Sequence, residues 1–166
     1  MDSFSERRKA ILFLMLAAIL WSTSGVLVKI MDWQPVAILA GRSLFASLVM
    51  LIYLRRIPTK WTRWKILAAA ASILTQFLFV TSTKLTTAAN SIFLQYTAPI
   101  YVVLLAFWFL HEKPSRTDWG SMVIIFLGLL LFFGDKLSTD GLYGNILAVL
   151  SGVTSAVMMV SMRAQK

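Results

Sequence analysis

The chain has 166 residues, with 16 Lys and Arg against 7 Asp and Glu, a formal net charge of +9 and 58% hydrophobic residues. Its mean hydropathy is +0.77, which leaves too little polar surface to cover the core of a water-soluble domain. The absence of cysteine and the single histidine exclude disulfides, thiolate metal sites and a cysteine nucleophile. In a soluble protein the positive balance would point to nucleic acid. Here it lies beside the ends of apolar runs, where anionic headgroups and membrane insertion account for it, so no nucleic-acid partner is expected.

Six apolar runs follow in order: residues 10–28, 36–54, 66–83, 85–110, 119–134 and 141–162. Each is near the ~20 residues that a helix rising about 1.5 Å per residue needs to cross a hydrocarbon core of about 30 Å. The expected fold is therefore all-α, a polytopic transmembrane helix bundle of six spans. The first run follows Arg7, Arg8 and Lys9 and has the outline of a cleaved leader; its length and the five runs behind it favour a retained anchor.

The breaks alternate between basic and nearly uncharged. With the amino terminus inside, Arg7, Arg8, Lys9, Arg55, Arg56, Lys60, Arg63, Lys65, Lys113, Arg116, Arg163 and Lys166 all fall on the inner side. Only Lys29, Lys84 and Lys136 fall outside, and Arg42 lies within a span. Basic residues retained in short loops set topology, so both termini of this chain are expected in the cytoplasm, in a multi-pass protein of the cytoplasmic (inner) membrane.

The second inner link carries its own stop and start signals. Pro114 should end the fourth span, and Ser115 with Asp118 three residues later has the spacing of a capping box that opens the fifth. Glu112, beside His111, is expected to pair with Lys113 or Arg116 and fix this loop. The stretch 135–141 is the expected linker to the sixth span, which weakly echoes the first: Thr154 superposes on Trp21, and Ser155 on Ser22.

Polar groups inside the spans are where chemistry is expected. Arg42 costs about 2.5 to 3.5 kcal/mol within a span on insertion scales, so it should face a wet cavity that attracts carboxylates or phosphates, or else snorkel or pair with Asp32. Trp21, near the middle of its span, needs a partner for its indole N–H and is followed by Ser22. Lys29 stands at the end of the same span, as a cavity group or an interfacial anchor. Pro99 cannot donate to the carbonyl of Gln95, so the fourth span should kink there, with Tyr96 beside it and Asn90 toward the outer end. Gln76 is the matching polar site of the third span, as an interhelical bond or a ligand contact. Small residues four apart, including Gly41 with Ala37 and Ser151 with Ser155, read as packing positions.

No Asp or Glu lies well inside a span, and there is no phosphate loop, Ser-His-Asp set or pair of carboxylates at metal spacing. An enzyme is not expected, nor any cofactor or metal.

Taken in order, Trp21 and Ser22 followed by Lys29, Pro35 and Arg42, Ala88 and Ala89 with Ala98 and Pro99, then Glu112, Trp119, Gly120 and Gly128, resemble the EamA-type transporters of the drug/metabolite transporter superfamily. The resemblance implies a ten-helix protein of two inverted five-helix repeats with a central cavity, generally an exporter of small metabolites or amino acids. On that pattern residues 1–136 form the first repeat, and residues 137–166 the linker and first helix of an incomplete second one. The expected function is a secondary transporter of small polar metabolites or amino acids, present as a truncated or half unit; the alternative is a non-transporting membrane scaffold or subunit. Expected partners are a small-molecule substrate, the lipid bilayer, and the missing second repeat or another copy in a homodimer.

Overall fold

Within a bilayer each apolar run must satisfy its own backbone hydrogen bonds, and a helix is the only single-segment solution. The computed structural model describes residues 2–54, 61–133 and 141–165, and all of its regular structure is helical. The elements are α1 (Asp2–Ile30), α2 (Pro35–Leu54), α3 (Arg63–Leu85), α4 (Ala88–Gln95), α5 (Ala98–Leu110), α6 (Arg116–Phe133) and α7 (Leu142–Arg163). Among the described residues, five stretches are long and apolar enough to cross a membrane: Arg7–Ile30, Pro35–Leu54, Arg63–Leu85, Ala88–Leu110 and Leu142–Arg163. The remaining expected span corresponds to α6, which is helical but only 18 residues long as described, with Arg116 and Asp118 in its opening turn. The basic-loop residues Arg55, Arg56, Pro58 and Lys60 and the linker residues 134–140 lie outside the described residues.

Local side chains cap several of the helices, and α5 ends at Leu110, ahead of Pro114, through the left-handed His111. Thr62 caps α3 by accepting from the amide of Lys65 at 3.3 Å, and Thr87 caps α4 by accepting from that of Asn90 at 3.0 Å. The capping box forms in full: the Ser115 amide and hydroxyl both donate to Asp118 Oδ2 at 2.7 Å, and the Asp118 amide donates back to Ser115 Oγ at 3.1 Å. The fourth span breaks into α4 and α5 at Tyr96 and Thr97, just before Pro99.

The chain forms two compact units, Met1–Asp32 and Trp33–Lys166. The first is α1, in which Thr23 Oγ1 donates to the Leu20 carbonyl at 2.8 Å. In the second, α7 is the central element, packed along α3 on one side and along α4 and α5 on another, while α2 packs on α3 and α6 touches α5. The helix that sequence assigns to a second repeat thus shares a unit with α2 to α6. Its buried residues are mostly small: Gly144, Ala148, Ser151, Gly152, Ser155 and Ala156. In a bilayer, where lipid is as apolar as leucine, such residues promote association by letting backbones approach.

Candidate functional site

Three tethers hold α7, at Asn145, Thr154 and Arg163. Nine residues separate neighbouring tethers, which is about 13.5 Å of helix and about half a turn out of phase. Asn145 and Arg163 therefore lie on one face and Thr154 on the opposite one. The partners obey that phase. Thr154 pairs with Thr75 of α3, Oγ1 to Oγ1 at 2.8 Å, whereas Asn145 and Arg163 meet residues at the two ends of the α4–α5 span.

At the first end, Asn90 Nδ2 donates to Thr86 Oγ1 at 3.3 Å, and Thr86 Oγ1 donates to Asn145 Oδ1 at 3.0 Å. A Cβ added at Gly144 would stand 2.8 Å from Thr86 Cβ, 2.9 Å from the Thr86 amide nitrogen and 3.0 Å from the Leu85 carbonyl carbon. Backbone cannot rotate out of the way, so only glycine fits. Gly141 begins this turn at φ 96°, a left-handed conformation that glycine adopts freely. Below it, Ser82 and Ser91 share a buried hydrogen bond of 2.7 Å between α3 and α4.

At mid-span, Gly152 faces the break between α4 and α5. A Cβ there would lie 3.1 Å from Thr97 Oγ1 and 3.2 Å from the Gln95 carbonyl oxygen. That carbonyl is the one Pro99 has no amide hydrogen to reach. Thr97 Oγ1 meanwhile donates to the Leu94 carbonyl at 2.6 Å. The kink expected from Pro99 thus places a backbone acceptor and a hydroxyl against a residue without a side chain.

At the far end Arg163 Nη1 meets Glu112 Oε2 at 3.0 Å, with both side chains about half exposed. Glu112 was expected to pair with Lys113 or Arg116 in its own loop. It reaches α7 because His111, at φ 56°, turns the chain as α5 ends. Asp118 ionises below its ordinary value of 3.8: the Ser115 hydroxyl and amide stabilise its carboxylate, burial opposes weakly, and Arg163 adds a smaller attraction.

The other expected site residues are placed as follows. Arg42 and Tyr96 are exposed on α2 and at the α4–α5 break, and Pro99 is exposed in the first turn of α5. Gln76 and Gln95 are half-buried on α3 and at the end of α4, and Asn90 is half-buried in the bonded chain described above. Trp21, Ser22 and Lys29 are exposed on α1. No hydrogen bond joins Arg42, Gln76, Gln95 and Tyr96 to one another among the described residues. A Cβ at Gly41, Gly120 or Gly128 would meet nothing within 4 Å, so no close helix contact depends on them. The close contacts belong to Gly144 and Gly152, which composition did not single out. Their signal was the repeat of small residues every fourth position on α7: Gly144, Ala148, Gly152 and Ala156.

A membrane bundle with an interrupted span seated on a small-residue helix fits a family of transporters, and comparison decides it. The EamA-like transporter family matches residues 8–134. The chain belongs to that family. It is a multi-pass membrane protein of transporter type within the drug/metabolite transporter superfamily. No curated protein and no solved structure matches it. EamA-like membership covers α1 to α6, so the seat offered to α7 by α3, α4 and α5 is built from family residues, while α7 lies beyond the matched segment.

Proposed function

We propose that this EamA-like chain carries small polar organic solutes, metabolites or amino acids, outward across the cytoplasmic membrane, and that both of its termini face the cytoplasm. Supporting the reading of activity are the family match over residues 8–134 and the break at Tyr96 and Thr97. The latter is the observation that carries it, because an interrupted span at mid-membrane frees backbone acceptors where transporters bind polar solutes. Supporting the orientation is the concentration of Lys and Arg in alternate breaks.

In this reading the solute meets the Gln95 carbonyl and Tyr96 at the break, with Gln76 and Asn90 as further hydrogen-bonding groups. Arg42 supplies positive charge, favouring anionic or zwitterionic solutes. A second repeat or another copy of the chain completes the cavity, and rocking of one half against the other exposes it alternately to the two sides. Glu112 acts structurally.

The test is counterflow in proteoliposomes. Protein is reconstituted with a panel of labelled amino acids and small organic acids, and folding is verified by circular dichroism. At least one solute should exchange faster than in protein-free vesicles, and Arg42→Ala should slow that exchange about tenfold without unfolding the protein. Failure of every solute with folded protein would overturn the proposal, and would favour a scaffold that assembles with other helices.

A further inference from the structure

We propose that the turn after α5 binds the headgroup of an anionic phospholipid. Phe107, Trp108, His111 and Lys113 line an open surface cleft of about 440 Å³. It lies where the apolar span Ala88–Leu110 gives way to a charged link, which is the depth of lipid headgroups. None of the residues assigned to solute transport takes part in it.

The geometry separates charges in a way that suits a phosphate. His111 is the single non-glycine residue with positive φ among the described residues, and its left-handed turn closes the helix as its amide returns to the Ala106 carbonyl. His111 and Lys113 line the cleft, while Glu112 between them is drawn off to Arg163. The next carboxylate, Asp118, is held by Ser115. Glu112 is thus charge-paired with Arg163, and Asp118 is not part of the cleft lining. Lys113, by contrast, makes no hydrogen bond or ion pair among the described residues. Its ammonium is a compact charge suited to a phosphate oxygen.

The apolar half of the cleft selects lipid over free phosphate. Trp108 is 72% exposed and Phe107 48% exposed. Their rings offer faces to a glycerol backbone and the first methylenes, and the indole N–H offers a polar edge at the same depth. A zwitterionic lipid brings no net charge to Lys113, and inorganic phosphate makes no use of the aromatic wall. An anionic phospholipid uses both.

Native mass spectrometry of the full chain in detergent, titrated with phosphatidylglycerol, phosphatidylcholine or inorganic phosphate, provides the test. Phosphatidylglycerol should bind more tightly than phosphatidylcholine, and phosphate should not displace it. Lys113→Ala should weaken phosphatidylglycerol about fivefold, the effect of one basic residue at an anionic surface. Trp108→Ala should weaken both lipids, and Arg63→Ala, which removes an exposed cation outside the cleft, should change neither. If Lys113→Ala does not fold, Lys113→Gln and Lys113→Arg replace it, with binding lost in the first and kept in the second. Equal binding of the two lipids, displacement by phosphate, or equal losses in Arg63→Ala and Lys113→Ala would each overturn the proposal.

Discussion

The two ends of α7 are anchored by opposite means. At Gly144 the anchor is uncharged and steric: backbone meets backbone, and the Asn90, Thr86 and Asn145 side chains form a short hydrogen-bonded chain. At Arg163 it is one half-exposed ion pair with Glu112. An exposed pair in water contributes about 0 to 1 kcal/mol and weakens with salt. A close-packed neutral contact is indifferent to salt and depends on side-chain volume. The Gly144 end should therefore behave as the fixed point and the Arg163 end as the one that opens first.

The largest effect that tests this contrast is expected at Gly144. Gly144→Leu should lower stability by about 3 kcal/mol through overpacking, read as a loss of melting temperature in detergent. Gly128→Leu, in open space, should leave melting unchanged. At mid-span Gly152→Ala should cost less, about 1 kcal/mol, because the hydroxyl of Thr97 can yield although the Gln95 carbonyl cannot. Thr154→Val should cost about 0.6 kcal/mol, the average for an interhelical hydrogen bond in membranes.

At the ion-paired end, Glu112→Gln should cost under about 1 kcal/mol. It should raise hydrogen exchange in the last turns of α7 and leave the first turns unchanged, and 1 M salt should mimic it in the parent protein. Equal exchange at both ends would erase the asymmetry.

Smallest is the effect of pH on the α6 cap. Asp118 has a lowered pKa in the folded protein, so its stabilising contribution is present above its ordinary value of 3.8 and is lost as pH falls through the lower folded value. Ser115→Ala should return the Asp118 titration toward that ordinary value, as read by carbon NMR of the carboxyl group.

Sequence was most informative where a signal is local. The spans, the Ser115 and Asp118 box and the break ahead of Pro99 each follow from a few adjacent residues and a backbone rule. It was least informative where partners are distant. Glu112 had two cations within four residues, yet the turn at His111 carries it to Arg163. Gly41 and Gly128 resemble packing glycines in sequence but face open space, while Gly144 and Gly152 meet backbone. Which glycine is used depends on the phase of two helices about each other. Only the four-residue repeat of small side chains on α7 carries a trace of that phase.

Arg42 marks a further limit. Its cost within a span was evident from one residue, yet no ion pair forms to it among the described residues, and α2 packs chiefly on α3.

The seating of α7 can be measured directly because the chain has no native cysteine. Thr75→Cys combined with Thr154→Cys, oxidised in native membranes, should form a disulfide in high yield, since the two hydroxyl oxygens lie 2.8 Å apart. Thr154→Cys combined with Arg42→Cys should not. Absence of the first disulfide in folded protein, or equal yields from both pairs, would contradict the placement of α7 against α3 and the interrupted span.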